Sequence, residues 1–134
     1  MAPFSGRRKS MASVLVIEDD RNIREVIAAA LARFGHRVET AGDGPEGIRK
    51  FDAGGYDLVI SDFRLPGADG AEVLAHIRRA CPGRRVPAIG ISGTPWLLQG
   101  AGFDLVLTKP FPLKELLESV SRLTGLRTLS EAAA

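Results

Sequence analysis

The sequence has few of the features that mark secreted, disulfide-bonded or membrane proteins. Only Cys81 among its 134 residues is a cysteine, so no disulfide can form within the chain, and a reducing compartment suits it. No apolar run approaches the roughly 18 residues that a membrane helix needs. The basic residues 7–9 precede a short apolar run, residues 14–17, that ends in three acids, which argues against a signal peptide. We therefore expect a cytoplasmic protein without membrane association.

Basic residues and aromatic residues do not combine into a pattern typical of nucleic-acid binding. The net charge is +2, and only 6% of the residues are aromatic. Residues 7–9 lie in a predicted leader, and four arginines (Arg78, Arg79, Arg84 and Arg85) cluster around one Pro-Gly turn. No basic stripe is interleaved with aromatics. We expect these arginines to form a solvated surface and the protein to bind no nucleic acid.

Apolar runs and helical patterns alternate along the chain. Four short runs rich in branched residues are nearly continuous, which is typical of parallel strands covered on both faces: residues 14–17, 58–60, 86–91 and 105–107. Residues 37–41 alternate polar and apolar and indicate an edge strand. Amphipathic helical patterns fill the gaps, with Asp20 as a predicted N-cap of the first helix. This order predicts a doubly wound α/β domain with right-handed crossovers and helices on both faces.

One domain accounts for the length of the chain. We place it at residues 12–125, with a disordered leader at residues 1–11 and a frayed C-terminal tail at residues 126–134.

Chemically capable side chains follow each of the predicted central strands. Glu18 and Asp19 come after the first run, Asp62 after the second, Ser92 after the third and Lys109 after the fourth. The carboxyl ends of parallel strands meet at one edge of the sheet, where ligands of open α/β folds bind. We therefore expect these five side chains to lie together.

The set is chemically coherent as a site for phosphoryl transfer. Three carboxylates a few ångströms apart repel one another unless a cation joins them, and Mg²⁺ prefers such hard oxygen ligands. Lys109 and Ser92 supply a positive charge and a hydroxyl for phosphoryl oxygens, and a carboxylate can itself be the nucleophile. Asp62 is the predicted acceptor.

The ordered combination of these motifs resembles the receiver domains of response regulators in two-component signalling, of the chemotaxis-regulator type. The segments that carry the resemblance are Glu18-Asp19-Asp20, Asp62 with Pro66-Gly67, Ser92-Gly93, and Lys109-Pro110-Phe111. The resemblance covers about residues 12–125 and implies a five-stranded, flavodoxin-like parallel sheet in the order 2-1-3-4-5. It also implies a cis peptide bond before Pro110.

The resemblance assigns a role to each site residue. Asp62 takes the phosphoryl group from a phosphohistidine of a sensor histidine kinase or a histidine phosphotransfer protein. Glu18, Asp19, Asp62 and the backbone carbonyl of Arg64 hold Mg²⁺, with Asp19 the more direct ligand of the acidic pair. Ser92 and Lys109 contact the phosphoryl group. Such a protein is not a conventional enzyme, although it catalyses its own phosphorylation and dephosphorylation, and we expect a monomer or weak dimer.

The sequence departs from this family between the fourth and fifth strands. Residues 93–102 must hold a loop, a helix and a turn, so the fourth helix is predicted to be at most a turn or two. The aromatic residue that the family places on its fifth strand aligns with Val106. Both changes fall on the usual signalling surface, which predicts an altered output. Trp96 is either a partner contact or a packing residue.

Two rival interpretations stay open at this point. A pseudo-receiver would have the same fold but bind proteins without phosphorylation. Alternatively, residues 42–47 spell G-x-G-x-x-G, the form of a nucleotide-binding fingerprint. That motif follows an alternating edge strand, however, and it would leave Glu18, Ser92 and Lys109 without a role. His36 and His76 have no clustered partners and are expected to be structural or exposed.

Overall fold

Five parallel strands form a single sheet in the order β2-β1-β3-β4-β5. The computed structural model describes residues 12–98 and 100–125; the predicted leader and tail lie outside the described residues. The strands are β1 (Ser13–Ile17), β2 (Arg37–Ala41), β3 (Leu58–Asp62), β4 (Ala88–Ser92) and β5 (Leu105–Thr108). The predicted fold class and strand order are confirmed, and β2 is an edge strand, as its alternating pattern predicted.

Three α-helices connect strands and a fourth follows β5, and local capping explains where the first three begin. They are α1 (Arg21–Arg33), α2 (Gly44–Ala53), α3 (Gly70–Ala80) and α4 (Leu113–Thr124). Asp20 caps α1 by accepting hydrogen bonds from the amides of Asn22 and Ile23, as predicted. Asp43 caps α2, and Asp69 forms a capping box with Glu72 at α3. None of the helices within the described ranges is long and apolar enough to cross a bilayer.

Alternate side chains of the central strands point to opposite faces of the sheet and pack in two separate hydrophobic cores. Val14 and Val16 of β1 pack on the face that α1 and α4 cover, where Leu116 is completely buried. Leu15 and Ile17 pack on the opposite face with Phe51 of α2 and residues of α3. The central strands are therefore covered on both sides, which is why their apolar runs are nearly continuous.

The crossover between β4 and β5 is a four-residue 3-10 turn (Pro95–Leu98) instead of an α-helix, as the short spacing predicted. Leu98 and Phe103 lie close to the sheet at Gly90, where a Cβ atom would come within 3.0–3.1 Å of them. Gly90 thus lets the short connection pack directly on the strand. Val106 of β5 is 36% exposed beside it.

Ion pairs hold this short connection at the entry to β5. Asp104 accepts hydrogen bonds from Arg78 at 3.1 Å, Arg85 at 2.6 Å and the amide of Ala88 at 2.8 Å. Burial alone would raise the pKa of Asp104, but these donors and charges lower it below its usual range. Arg84 is also paired, with Asp57 at 3.2 Å. Arg79, Arg84 and Arg85 of the predicted solvated cluster are exposed, as expected, and Arg78 is half-buried. Three of the four arginines also form ion pairs, because the fold brings distant aspartates beside them.

Candidate functional site

The predicted site residues converge at the carboxyl-terminal edge of the sheet. Asp62 and Ser92 are the last residues of β3 and β4, whereas Glu18 and Lys109 directly follow β1 and β5. The parallel register places these ends side by side: Asp62 pairs with Ile91, and Ser92 pairs with Thr108. The rim inferred from the strand ends is therefore present.

Three carboxylates form the acidic part of the site. One oxygen from each of Glu18, Asp19 and Asp62 lies within 4.8 Å of the others. Glu18 is completely buried and Asp62 is only 6% exposed, whereas Asp19 faces solvent. Charges of one sign at such spacing are costly to hold together, so the cluster favours a cation.

Lys109 is the positive partner of two of these carboxylates. Its Nζ lies 2.6 Å from Asp62 Oδ2 and 2.8 Å from Glu18 Oε1. Burial lowers the pKa of Lys109, but the hydrogen bonds and charges of Asp62 and Glu18 outweigh that effect, and the pKa is raised overall. Lys109 therefore remains an ammonium ion. The peptide bond between Lys109 and Pro110 is cis, as the resemblance implied.

Glu18 is held from both its side chain and its backbone. Oε2 accepts a hydrogen bond from the amide of Asp20 at 3.0 Å, and the backbone carbonyl accepts one from Arg24 Nη1 at 2.8 Å. Burial raises the pKa of Glu18 to about 7, with the charge of Asp62 adding to the rise and Lys109 opposing it. The contact of Arg24 was missed by the sequence reasoning, because a lone arginine on a helix carries no signal of its target.

Ser92 lies at the rim, but its hydroxyl is engaged by the following loop. Its Oγ accepts a hydrogen bond from the amide of Thr94 at 2.9 Å and lies 3.1 Å from Thr94 Oγ1. Contact with a group on Asp62 would require this hydroxyl to turn. The amide of Arg64 lies 3.4 Å from Asp62 Oδ1, a long contact that leaves this oxygen less engaged than Oδ2.

The donor set fits a hard divalent cation. Mg²⁺ typically binds one or two carboxylates and keeps water molecules as its remaining ligands. The cluster offers three carboxylates, one of which is open to solvent. One lysine offsets only part of the negative charge of three ionised carboxylates. The site residues therefore have the composition expected of a divalent-cation site.

The buried Glu18 makes stability depend on pH when Mg²⁺ is absent. Its folded pKa of about 7 lies above its ordinary value of 4.5, so the folded chain keeps the proton over this window and the unfolded chain loses it. In EDTA, the free energy of unfolding should fall between these pH values by up to about 3 kcal/mol. Urea titrations of the wild type and Glu18→Gln measure this, and the variant should lack this slope.

Mg²⁺ should reverse this loss of stability at high pH, because it binds the ionised carboxylates. The melting temperature should rise more on addition of millimolar Mg²⁺ at pH 8 than at pH 5. An equal pH dependence of the free energy of unfolding in the wild type and Glu18→Gln would contradict the raised pKa of Glu18. A melting temperature that Mg²⁺ changes at neither pH would contradict the divalent-cation site.

The fold and site together define a class of protein: a doubly wound α/β domain with an acidic cluster and a lysine at the carboxyl edge of its sheet. The sequence profile of the response regulator receiver domain matches residues 14–121. The chain belongs to this family, which sets aside the nucleotide-binding interpretation of residues 42–47.

Relatives of known sequence are regulators longer than this chain. The transcriptional regulatory protein TcrA of Mycobacterium tuberculosis is 39% identical over 112 residues, covering 81% of this chain and 44% of TcrA. The transcriptional regulatory protein DltR of Streptococcus agalactiae is 38% identical over 124 residues, covering 89% of this chain and 54% of DltR. The chain thus spans about half the length of these two regulators.

Solved structures of isolated receiver domains match nearly end to end. The receiver domain of the sensor histidine kinase PA1611 from Pseudomonas aeruginosa, solved with a magnesium ion in its active-site cleft, is 35% identical, with a TM-score of 0.77. The match covers 85% of this chain and 98% of that domain. The chemotaxis regulator CheY4 of Vibrio cholerae has a TM-score of 0.76 at 30% identity, with coverages of 84% and 98%.

Proposed function

We propose that Asp62 accepts a phosphoryl group from a phosphohistidine of a sensor histidine kinase or phosphotransfer protein. The observation that carries the proposal is the convergence of Asp62, two further carboxylates and Lys109 at one edge of the sheet. Asp19, Asp62 and the backbone carbonyl of Arg64 would hold Mg²⁺ together with Glu18. The magnesium ion in the related PA1611 domain supports this assignment.

The transfer needs positioning and charge neutralisation more than covalent assistance. An oxygen of Asp62 forms the new bond to phosphorus while the bond between phosphorus and the donor histidine nitrogen breaks. Lys109, already 2.6 Å from Asp62, neutralises a phosphoryl oxygen, and Ser92 turns from Thr94 to donate a hydrogen bond to another. When bound, Mg²⁺ offsets the negative charge of the carboxylates and the incoming phosphoryl group. Because Asp62 is nearly buried, these fixed charges act with little screening by water.

The direct test is incubation with acetyl phosphate and Mg²⁺, followed by the intact mass. A phosphate-sized gain supports the proposal. No gain under generous conditions favours the alternative, a pseudo-receiver that binds proteins without phosphorylation.

An apolar groove beside the acceptor suits the protein donor. It lies between α1 and the start of α4, has a volume of about 540 Å³, and reaches Lys109 itself. Val26 and Leu113 on its walls are 51% and 39% exposed, so the groove presents large apolar side chains together. A donor domain seated here would bring its phosphohistidine next to Asp62.

Val26→Glu should therefore slow transfer from a protein donor without slowing transfer from a small one. A charge in the groove disfavours contact with an apolar partner surface. We therefore expect the rate of transfer from a phosphorylated phosphotransfer domain that labels the wild type to fall at least 10-fold. Labelling by acetyl phosphate should be unchanged. Leu97→Glu, an exposed apolar position on the 3-10 turn, is the matched control. Equal loss in both variants would argue against the groove.

We further propose that the output of this domain is atypical. The crossover helix is reduced to a 3-10 turn, and Val106 replaces the expected aromatic residue on β5. Trp96 is 67% exposed, which favours the partner-contact interpretation over packing. The signal then leaves by a reorganised surface, or the domain serves as a phosphate relay or sink. Partner binding that survives grafting of residues 94–102 would count against this surface.

The remaining assignments stay predictions. They are a receiver domain at residues 12–125, a cytoplasmic location, a monomer or weak dimer, and no direct contact with nucleic acid. The single cysteine supports the location, and the ion pairs of Arg78, Arg84 and Arg85 support the last point.

A further inference from the structure

The glycine-rich turn at residues 42–47 has no role in the proposed phosphoryl transfer, yet it lies at the same edge of the sheet. It consists of the two residues between the edge strand β2 and α2 and of the first turn of α2. Gly47 packs on the side chain of Ile17, where a Cβ atom would come within 2.5 Å. This third glycine of the motif therefore serves helix-to-sheet packing.

Gly44 is pressed against the loop that follows Asp62. A Cβ atom at Gly44 would lie 2.0 Å from the backbone oxygen of Ala68, a distance that no real contact allows. Its amide also donates a hydrogen bond to the carbonyl of Pro66 at 3.2 Å. From the other side, a Cβ atom at Gly67 would lie 2.8 Å from the ring of Pro45. The loop of residues 63–69, which includes Arg64, is thus clamped to the start of α2.

The same turn also supports the acidic loop that follows β1. The amide of Glu18 donates a hydrogen bond to the carbonyl of Ala41, directly before the turn, at 3.0 Å. The guanidinium of Arg24, which holds the backbone oxygen of Glu18, lies 3.1 Å from the place where a Cβ atom of Gly42 would stand. The loop of Glu18 and Asp19 and the loop of Arg64 therefore both contact residues 41–47.

We propose that residues 42–47, the glycine brace, set the distance between these two loops and so position the divalent-cation ligands, with Gly44 as the main positioning residue. The inference rests on the proposed Mg²⁺-dependent function. A Cβ atom at Gly44 has to move from 2.0 Å to beyond 3.0 Å from a backbone oxygen. The displaced group is the loop of Arg64, and metal sites tolerate such shifts of supporting groups poorly.

Mg²⁺ affinity is the readout that separates positioning from simple destabilisation. Gly44→Ala and Gly67→Ala should each raise the dissociation constant for Mg²⁺ by about 10-fold or more, measured by calorimetry well below the melting temperature of each variant. At saturating Mg²⁺, the labelling of both variants by acetyl phosphate should return most of the way to that of the wild type. A variant that is only less stable would melt earlier but bind Mg²⁺ as the wild type does.

Two glycines of the same chain provide matched controls. A Cβ atom at Gly55 would stand in open space, so Gly55→Ala controls for the glycine-to-alanine change without a steric clash. Gly100 has a φ of +81°, nearly that of Gly67 at +83°, but also has open space. Gly55→Ala and Gly100→Ala should therefore keep the wild-type dissociation constant, even if Gly100→Ala melts earlier from backbone strain.

Unchanged Mg²⁺ affinity in folded Gly44→Ala and Gly67→Ala overturns the inference and leaves the proposed function intact. If Gly44→Ala does not fold, Gly67→Ala decides alone. A wild-type chain that neither binds Mg²⁺ nor takes up phosphate overturns the proposed function, and the inference with it.

Discussion

Asp62→Asn should abolish the uptake of phosphate from acetyl phosphate in the presence of Mg²⁺. The neutral amide keeps the shape of the aspartate but removes the nucleophilic carboxylate and one ligand of the cation. Asp62 is nearly buried beside Lys109, whereas Glu18 is completely buried and Asp19 faces solvent, so neither neighbouring carboxylate combines access with the same neutralising contact. The intact mass before and after incubation measures the result, and no phosphate-sized gain should remain.

A second aspartate on the neighbouring loop is the control. Asp69 caps α3 through the amide of Glu72 at 2.9 Å, and asparagine caps helices about equally well. Asp69→Asn should therefore take up phosphate as the wild type does. A full mass gain in Asp62→Asn would place the acceptor elsewhere and refute the central assignment.

Lys109→Met should slow phosphorylation by about 10²-fold to 10³-fold while leaving Mg²⁺ binding intact. The lysine stabilises charge that develops on the phosphoryl group, and the loss of one such preorganised donor has a cost of this size. Its ammonium also competes with Mg²⁺ for Glu18 and Asp62, at 2.8 and 2.6 Å. Mg²⁺ should therefore bind the variant at least as tightly. The rate of labelling by acetyl phosphate and a calorimetric Mg²⁺ titration provide the two measurements.

Lys114→Met, at an exposed lysine near the start of α4, should change neither quantity. If Lys109→Met labelled at the wild-type rate, neutralisation by this lysine would be dispensable. If it lost Mg²⁺ affinity, the lysine would be supporting the cation site and not competing with the ion for its carboxylates.

Much of the architecture was predictable because buried parallel strands leave a strong local signature. Continuous apolar runs identified four strands, and alternation identified β2 as the edge. The cap at Asp20 and the reduced crossover before β5 followed from local residue types and from the number of residues available. These features depend on neighbours in the sequence, which is why the sequence alone predicts them.

Contacts between distant residues were harder to predict. The ion pairs of Asp104 with Arg78 and Arg85 were not predicted, although the solvated arginine surface was. The hydrogen bond of Arg24 to Glu18 has no recognisable motif. The glycines of residues 42–47 suggested a nucleotide site, but their surroundings show close packing against Ala68 and Ile17. For the ion pairs and the glycines the partners lie far apart in the chain, and only the fold brings them together.

The sequence by itself determined which side chains stand at the carboxyl edge of the sheet, because each polar residue follows an apolar run that forms a strand, and the parallel topology sets the direction of that strand. Tertiary structure alone decided how those side chains are engaged. Lys109 reaches Asp62 across 47 positions of sequence, and complete burial raises the pKa of Glu18 to about 7. Ser92 is turned toward Thr94. Distances, burial and rotamers depend on packing between segments far apart in the chain, and residue order does not encode them locally.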